Sequence, residues 1–402
     1  MSRIIIIGAG QAAAWAAHTL RAEGYAGVLS VVSNETEVFY ERPPLSKQVL
    51  AGEMAVAGLQ LFDAAAITAM NIDWHKPDAV TRIDRADKNV TLASGTVLAY
   101  DQLLLATGSR ARMPVAAWAD MPNVFTVRTI ADAQRLGEQL QPGKRMAIIG
   151  GGWIGLEVAA TARKKGLDVT VLEHGSRLCK RSVSPEVSAF LLGLHEAAGT
   201  QVVLDSAGLA LQATDLGTIQ IMGAGALVVE VDVVVVGAGA EIATELAVAA
   251  GLDVRDGVVV DKAGRTSDPS IFAAGDVAIH PELGFCIQSW ANAQNQAICA
   301  AKNMLGQGCD YAEIPWLWSD QFDCNIQILG NPGAEGLQLV RRQSGDNKQT
   351  FIYVDEAQRL QAMVAVNEAR LIKLGKRWMQ AQTVLPLAQL ADPEFNVMSL
   401  KP

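Results

Sequence analysis

Two short glycine-rich runs carry the first chemical signal in this chain. Gly8-Ala9-Gly10-Gln11-Ala12-Ala13 is a GxGxxA pattern, and Gly150-Gly151-Gly152-Trp153-Ile154-Gly155 is a full GxGxxG. Each follows an apolar, largely β-branched run, Arg3 to Ile7 and Met146 to Ile149. Each leads into an Ala-rich stretch of helical character, Trp15 to Glu23 and Leu156 to Lys165. A second strand follows, Val28 to Val32 and Asp168 to Leu172, and then an acid. In that context the chemistry is the binding of a dinucleotide pyrophosphate. The first glycine makes the tight turn, and the second lets the backbone approach the phosphates. A small residue (Ala13 or Gly155) holds helix against strand, and the helix N-terminus faces the anion. Glu173 falls near the usual spacing of about 20 residues for an acid that binds the ribose. Glu35, beside Asn34, lies a little beyond it. A carboxylate at Glu173 repels a 2′-phosphate and so favours NADH over NADPH. Arg177 and Arg181 have two readings, a contact to such a phosphate or a solvated loop.

The elements that must position these runs belong to an α/β chain. Of 402 residues 50% are hydrophobic and 19% charged, which supplies large cores and argues against disorder. Aromatic residues are only 5%, and Ala, Val, Leu and Gly suit buried parallel sheets covered by small-residue helices. The net charge of −9 argues against nucleic acid as the main partner. The cysteines at 179, 286, 299, 309 and 324 are scattered and show no CxxC spacing. No disulfide framework or metal site is expected, and a cytoplasmic location fits. The opening MSRIIIIGAG reads as a buried strand, not a signal peptide. No apolar run reaches the ~20 residues of a membrane helix.

Two strands close the nucleotide units: Leu103 to Leu105, leading into Ala106-Thr107-Gly108, and Val233 to Val236, leading into Gly237-Ala238-Gly239. Gly257 to Asp261 and Ile271 to Ala274 read as strands returning to the first unit. They lead to Gly275-Asp276 and a helix from Ala291 to Leu305. Asp276 has two readings, a contact to a ribityl chain or a helix cap. The expected architecture is two nested Rossmann-like domains plus a small α+β domain. Residues 1–112 and 243–312 form the first, 113–242 the second and 313–402 the third.

The nested order, Ala106-Thr107-Gly108, GGGWIGLEVAATA (150–162) and TSDPSIFAAGDVA (266–278) resemble the glutathione-reductase-like flavoproteins. Tyr40-Glu41-Arg42-Pro43-Pro44-Leu45-Ser46-Lys47 and Pro315-Trp316-Leu317-Trp318-Ser319-Asp320-Gln321 narrow the resemblance. They are similar to the ferredoxin reductases of bacterial aromatic-ring (Rieske) dioxygenase systems of 3-phenylpropionate/cinnamate type, and more distantly to putidaredoxin reductase. The resemblance implies FAD in the first domain and NADH in the second. Gly8, Gly10, Gln11, Ala12 and Ala13 would form the FAD turn, with Asn34 or Glu35 at its ribose. Arg42, Lys47, Val80, Ala106, Thr107, Gly108, Arg128, Gly275, Asp276, Trp290 and Trp318 would contact FAD. Gly150, Gly152, Ile154, Gly155, Glu157 and Glu173 would serve NADH. Asn34 departs from the usual Asp, and Glu241-Ile242-Ala243-Thr244 replaces a Pro-Asn turn.

Disulfide reductases of this superfamily place a CxxxxC dithiol beside the flavin. Phe39 to Lys47 contains no cysteine, so thiol relay there is impossible. The remaining role is hydride acceptance from NADH and single-electron delivery to an external acceptor, which the resemblance implies is a [2Fe-2S] ferredoxin. Lys47 and Glu157 are the candidate catalytic residues, Lys47 as a cation near the flavin and Glu157 as its partner or a holder of the carboxamide. Trp316 and Trp318 wall the cofactor or fill the C-terminal core. Arg163-Lys164-Lys165, Arg177-Lys180-Arg181 and Lys373-Lys376-Arg377 are candidate basic docking faces for an acidic ferredoxin. Two alternatives stand beside this reading. One is a reductase for a P450 or rubredoxin system, and the other is an apoptosis-inducing-factor-like flavoprotein with a binding or signalling role.

Overall fold

A computed structural model describes residues 2–224 and 227–401. The chain forms two compact units. The first takes the chain up to Arg42, Val56–Arg110 and Ala240–Pro315. The second takes Pro43–Ala55, Ala111–Gly239 and the chain from Trp316 onward.

In the first unit, five parallel strands run in the spatial order Ile271–Ala273, Gln102–Leu105, Arg3–Ile7, Val28–Val32, Asp73–His75. The central strand is buried on both faces. Ile4 and Ile6 pack against the alanines of helices Gln11–Ala22 and Trp290–Met304, while Ile5 and Ile7 face Val80, Val90 and Leu92. Side chains alternate across a strand, so a continuous apolar run signals helices or sheet on both sides. The small residues let the two helices close over the sheet. Gly257 to Asp261 does not form the expected strand. Val258 makes single bridges to Val254 and Ala278, because local turns already use its neighbours' backbone groups. The Arg255 N–H bonds the Gly257 carbonyl, and the Asp261 N–H bonds that of Arg265.

The second unit repeats the plan with strands Gln201–Val203, Asp168–Leu172, Arg145–Ile149, Val233–Val236 and Val124–Phe125. Met146 and Ile148 pack on one face, Ala147 and Ile149 on the other. A five-stranded antiparallel sheet follows, ordered Trp316–Gln321, Cys324–Gly330, Leu360–Val366, Lys348–Val354, Gln338–Gly345. Its Ile326, Ile328, Phe351, Val364 and Val366 join the core that holds Ile148 and Leu156. Helix Ala369–Ala381 packs on Leu329, Leu360 and Met363, where Gly375 leaves room for them. Among the described residues no helix is long and apolar enough to cross a membrane.

Candidate functional site

The two glycine turns are built alike. Gly8 and Gly150 sit at φ +114° and +113°, in the left-handed region that favours glycine. A Cβ on Gly8 would stand 2.2 Å from the Ala106 carbonyl oxygen, and one on Gly150 2.4 Å from that of Gly237. These glycines therefore hold each first strand against its closing strand. Gly10 and Gly152 are the N-caps of helices Gln11–Ala22 and Trp153–Lys164. A Cβ on either would meet nothing within 4 Å. Neither helix has a side-chain cap or an acid in its first turn. Open space before an uncapped helix start suits a pyrophosphate. Gly155 packs as the motif requires, since its Cβ would stand 2.2 Å from the Gly150 oxygen. Ile154 is 46% exposed at the surface of the same turn.

The two acids differ. The pairings Ile7↔Val32 and Ile149↔Leu172 are equivalent, and the N–H groups of Gly8 and Gly150 bond the carbonyls of Val32 and Leu172. The residue after each strand is Ser33 in the first unit and Glu173 in the second. Glu173 accepts hydrogen bonds from the Gly151 and Gly175 N–H groups, both at 2.6 Å. Glu35 lies two residues past the equivalent position. It accepts from Tyr40 Oη and from Arg42 Nη2, both at 2.5 Å, while Asn34 is exposed. Arg177 is committed to structure, donating to the carbonyls of Val183 and Lys180 and to Ser188 Oγ.

Elsewhere in the first unit, Ser109 Oγ donates to Asp276 Oδ2 at 2.7 Å. The Gly275 N–H donates to Gln296 Oε1 at 2.9 Å, and Thr107 Oγ1 donates to the Ala243 carbonyl at 2.8 Å. Gly275, at φ +82°, has room for only a hydrogen beside Ala12, whose Cβ would lie 2.9 Å from its own. Ala13 and Ala106 are buried, Val80 opens a strand paired to Leu92, and Trp290 starts the helix capped by Ser289. Gln11 Nε2 reaches Gln294 at 3.5 Å. Gly108 adopts φ +67°, and its carbonyl receives the Ala243 N–H.

The second unit holds Lys47, Arg128, Glu157 and Trp318. The Arg128 N–H donates to Asp132, just before the Thr129 capping box. Pro43–Ser46 forms a tight turn that ends at Lys47, the N-cap of the short helix Gln48–Ala51. Thr161 Oγ1 donates to the Ser46 carbonyl at 3.0 Å and fastens this turn to helix Trp153–Lys164. Glu157, one helical turn before Thr161, then meets Lys47 Nζ at 3.0 Å. Both are buried. Ser46 Oγ donates to Glu157 at 2.5 Å and Ser319 Oγ at 2.6 Å. Burial pushes the Glu157 carboxyl up, opposed by Lys47 and the two hydroxyls. Lys47 Nζ also lies 6.0 Å from the Trp318 ring centroid, and Trp318 stacks on Trp316 at 5.2 Å. Lys47 and Glu157 are legible as candidates in the sequence, whereas Ser46, Ser319, Gln321 and His195 are drawn into the network only by the fold. Ser46 and the Ser319–Gln321 stretch lay within the two diagnostic segments, while His195 gave no signal.

The model of the pyridine nucleotide-disulphide oxidoreductase family matches residues 2–297, and that of the reductase C-terminal family matches residues 316–401. The chain belongs to the pyridine nucleotide-disulphide oxidoreductase family. It is 41% identical over 406 residues to the anthranilate 1,2-dioxygenase system ferredoxin–NAD(+) reductase component of Burkholderia cepacia, covering 98% of each chain. It is 36% identical to rhodocoxin reductase of Rhodococcus erythropolis, covering 98% of this chain and 93% of the relative. Its fold matches the reductase in the covalent putidaredoxin reductase–putidaredoxin complex with a TM-score of 0.91 at 33% identity, covering 97% and 96% of the two chains. It also matches the ferredoxin reductase for the CYP199A2 system of Rhodopseudomonas palustris, with a TM-score of 0.92 at 32% identity and 99% coverage of both. Unlike a disulphide reductase of this family, it has no cysteine between Phe39 and Lys47.

Proposed function

We propose that this chain is an FAD-containing NADH:ferredoxin oxidoreductase that supplies a [2Fe-2S] ferredoxin of an aromatic-ring dioxygenase system. The observation that carries the reading is the segment Phe39–Lys47. Where a disulphide reductase has its dithiol, this chain has no cysteine and presents Lys47 in a buried pair with Glu157. Likeness over 98% of the chain to a dioxygenase-system reductase component supports the same reading. FAD held by this chain would supply two-electron hydride acceptance from NADH and single-electron release.

The protein's share is binding, orientation and electrostatics. Residues 1–112 and 243–312 would hold FAD, with Gly8, Gly10, Gln11, Ala12 and Ala13 at its pyrophosphate. Arg42, Val80, Asp276 and Trp290 would complete that site, together with Ala106, Thr107, Gly108 and Gly275. Ser33 and the Arg42-bound Glu35 would border the ribose, with Asn34 outside them. Residues 113–242 would hold NADH, with Gly150, Gly152, Ile154 and Gly155 at the phosphates and Glu173 on the ribose. Residues 313–402 form the third domain of this scheme. Lys47 would stabilise negative charge on the reduced flavin, and Glu157 would fix Lys47 and the carboxamide. The cytoplasm is the proposed location, where NADH and a soluble ferredoxin meet.

The test is NADH-driven cytochrome c reduction with and without a dioxygenase [2Fe-2S] ferredoxin. Strong ferredoxin dependence is expected, and turnover indifferent to ferredoxin would refute the proposal. Likeness to rhodocoxin reductase and to the CYP199A2-system reductase favours one second reading, service to a P450 system. Ranking kcat/KM across ferredoxins of both system types separates the two.

A further inference from the structure

Glu157 is the end of a buried hydrogen-bonded chain that runs away from Lys47. Ser319 and Gln321 sit two apart on strand Trp316–Gln321 and so share one face. Both are 0% exposed, as is His195 on helix Pro185–Ala197. Ser319 Oγ reaches Glu157 Oε1 at 2.6 Å, Gln321 Nε2 reaches Ser319 Oγ at 3.0 Å, and Gln321 Oε1 meets His195 Nε2 at 2.9 Å.

The direction of each bond follows from the chemistry of the groups. An ionised carboxylate only accepts, so the single Ser319 proton points to Glu157. Ser319 must then accept, which turns the Gln321 amide nitrogen toward it. The Gln321 oxygen faces His195, so His195 Nε2 must carry a proton. His195 Nδ1 is buried without a hydrogen-bond partner. A bare lone pair is tolerable there, whereas an unpaired cationic N–H is costly. Burial lowers the imidazole further from its ordinary value, opposed by Gln321. Phe322 closes the ring's surroundings edge-on at 5.1 Å.

We infer that Ser319, Gln321 and a neutral, Nε2-protonated His195 form a one-way donor chain that positions Glu157, and through it Lys47, for hydride transfer. His195 and Gln321 are positioning residues, since neither touches Lys47. Each donor in the chain points its positive end toward the carboxylate. The chain therefore holds Glu157 in one orientation without adding a charge. The inference rests on the reading that Lys47 and Glu157 serve the cofactors.

The experiment uses the flavin-loaded protein. In the 15N-labelled protein at pH 7, the histidine whose signals vanish in His195→Gln should be neutral and protonated at Nε2. Gln321→Leu and Ser319→Ala should each slow flavin reduction at saturating NADH about tenfold, with the KM for NADH within about twofold. Ser319→Thr, which keeps the hydroxyl, should restore the rate. A cationic or Nδ1-protonated His195, or unchanged reduction rates in Gln321→Leu and Ser319→Ala, overturns the inference. Should Gln321→Leu fail to fold, the wild-type spectrum and Ser319→Ala still decide. Glu157→Gln separates the two levels. If it leaves reduction unchanged, the cofactor role of Glu157 falls, while the tautomer result stands as a test of the chain itself.

Discussion

Lys47 and Glu157 illustrate how much depends on a single buried pair. Breaking such a pair leaves one charge without compensation and costs about 3–5 kcal/mol. Lys47→Met should therefore lower the denaturation midpoint clearly, and Lys47→Met/Glu157→Leu should recover part of the loss. Lys47→Met should also slow flavin reduction by NADH and weaken the charge-transfer absorbance; stopped-flow traces identical to wild type would remove Lys47 from the mechanism. Glu173 makes a separate prediction. Its carboxylate is pinned by two backbone N–H groups, and Arg177 is tied to its own loop. Glu173→Ala should lower kcat/KM for NADH about tenfold without a matching gain for NADPH, because removing the acid builds no phosphate site. Paired kinetics with the two cofactors check this.

At the level of elements, the glycines of each turn divide into two classes. Gly8 and Gly150 hold strand to strand at positive φ, with a carbonyl where a Cβ would go. Gly8→Ala or Gly150→Ala should disrupt the fold by several kcal/mol, about the scale of overpacking plus backbone strain. Gly10 and Gly152 face open space. Alanine there should leave the melting temperature almost unchanged while weakening the corresponding cofactor. Flavin retention through gel filtration reports on Gly10→Ala, and the KM for NADH reports on Gly152→Ala. Equal loss of stability in both classes would contradict this division. The strand and helix runs around the turns were readable because burial on both faces leaves an uninterrupted apolar strand. The Gly257–Asp261 segment was not, since its apolar residues sit among local turns rather than in a ladder.

Over the whole molecule, the −9 charge and the basic clusters bear on partners. Two clusters are partly spent inside the fold: Arg163, Lys164, Lys165 and Arg177 donate to backbone carbonyls. Lys373 and Arg377 are exposed on helix Ala369–Ala381. Lys373→Glu/Arg377→Glu should raise the KM for an acidic ferredoxin several-fold and flatten its salt dependence, leaving ferricyanide reduction unchanged. Acid sensitivity follows from the buried histidines. Burial lowers both His195 and His280. The unfolded chain then binds more protons below about pH 6.5, so their contribution is full above that pH and is lost as pH falls. Urea midpoints at pH 7.5 and 5.5 should show the drop, and His195→Gln should reduce it. By itself, the sequence determined the two nucleotide units, the acid that follows the second strand of the second unit and the absence of a dithiol between Phe39 and Lys47. Each is a local pattern, written in consecutive residues by strand burial, turn geometry or residue type. Only the tertiary structure decided that Pro43–Ala55 and the C-terminal sheet pack in the same unit as the second glycine turn. That packing brings Ser46, Lys47, Glu157, Ser319, Gln321 and His195 into one buried network. Their contacts cross long stretches of chain, and no periodicity records which polar residues a folded core will bring within 3 Å of one another.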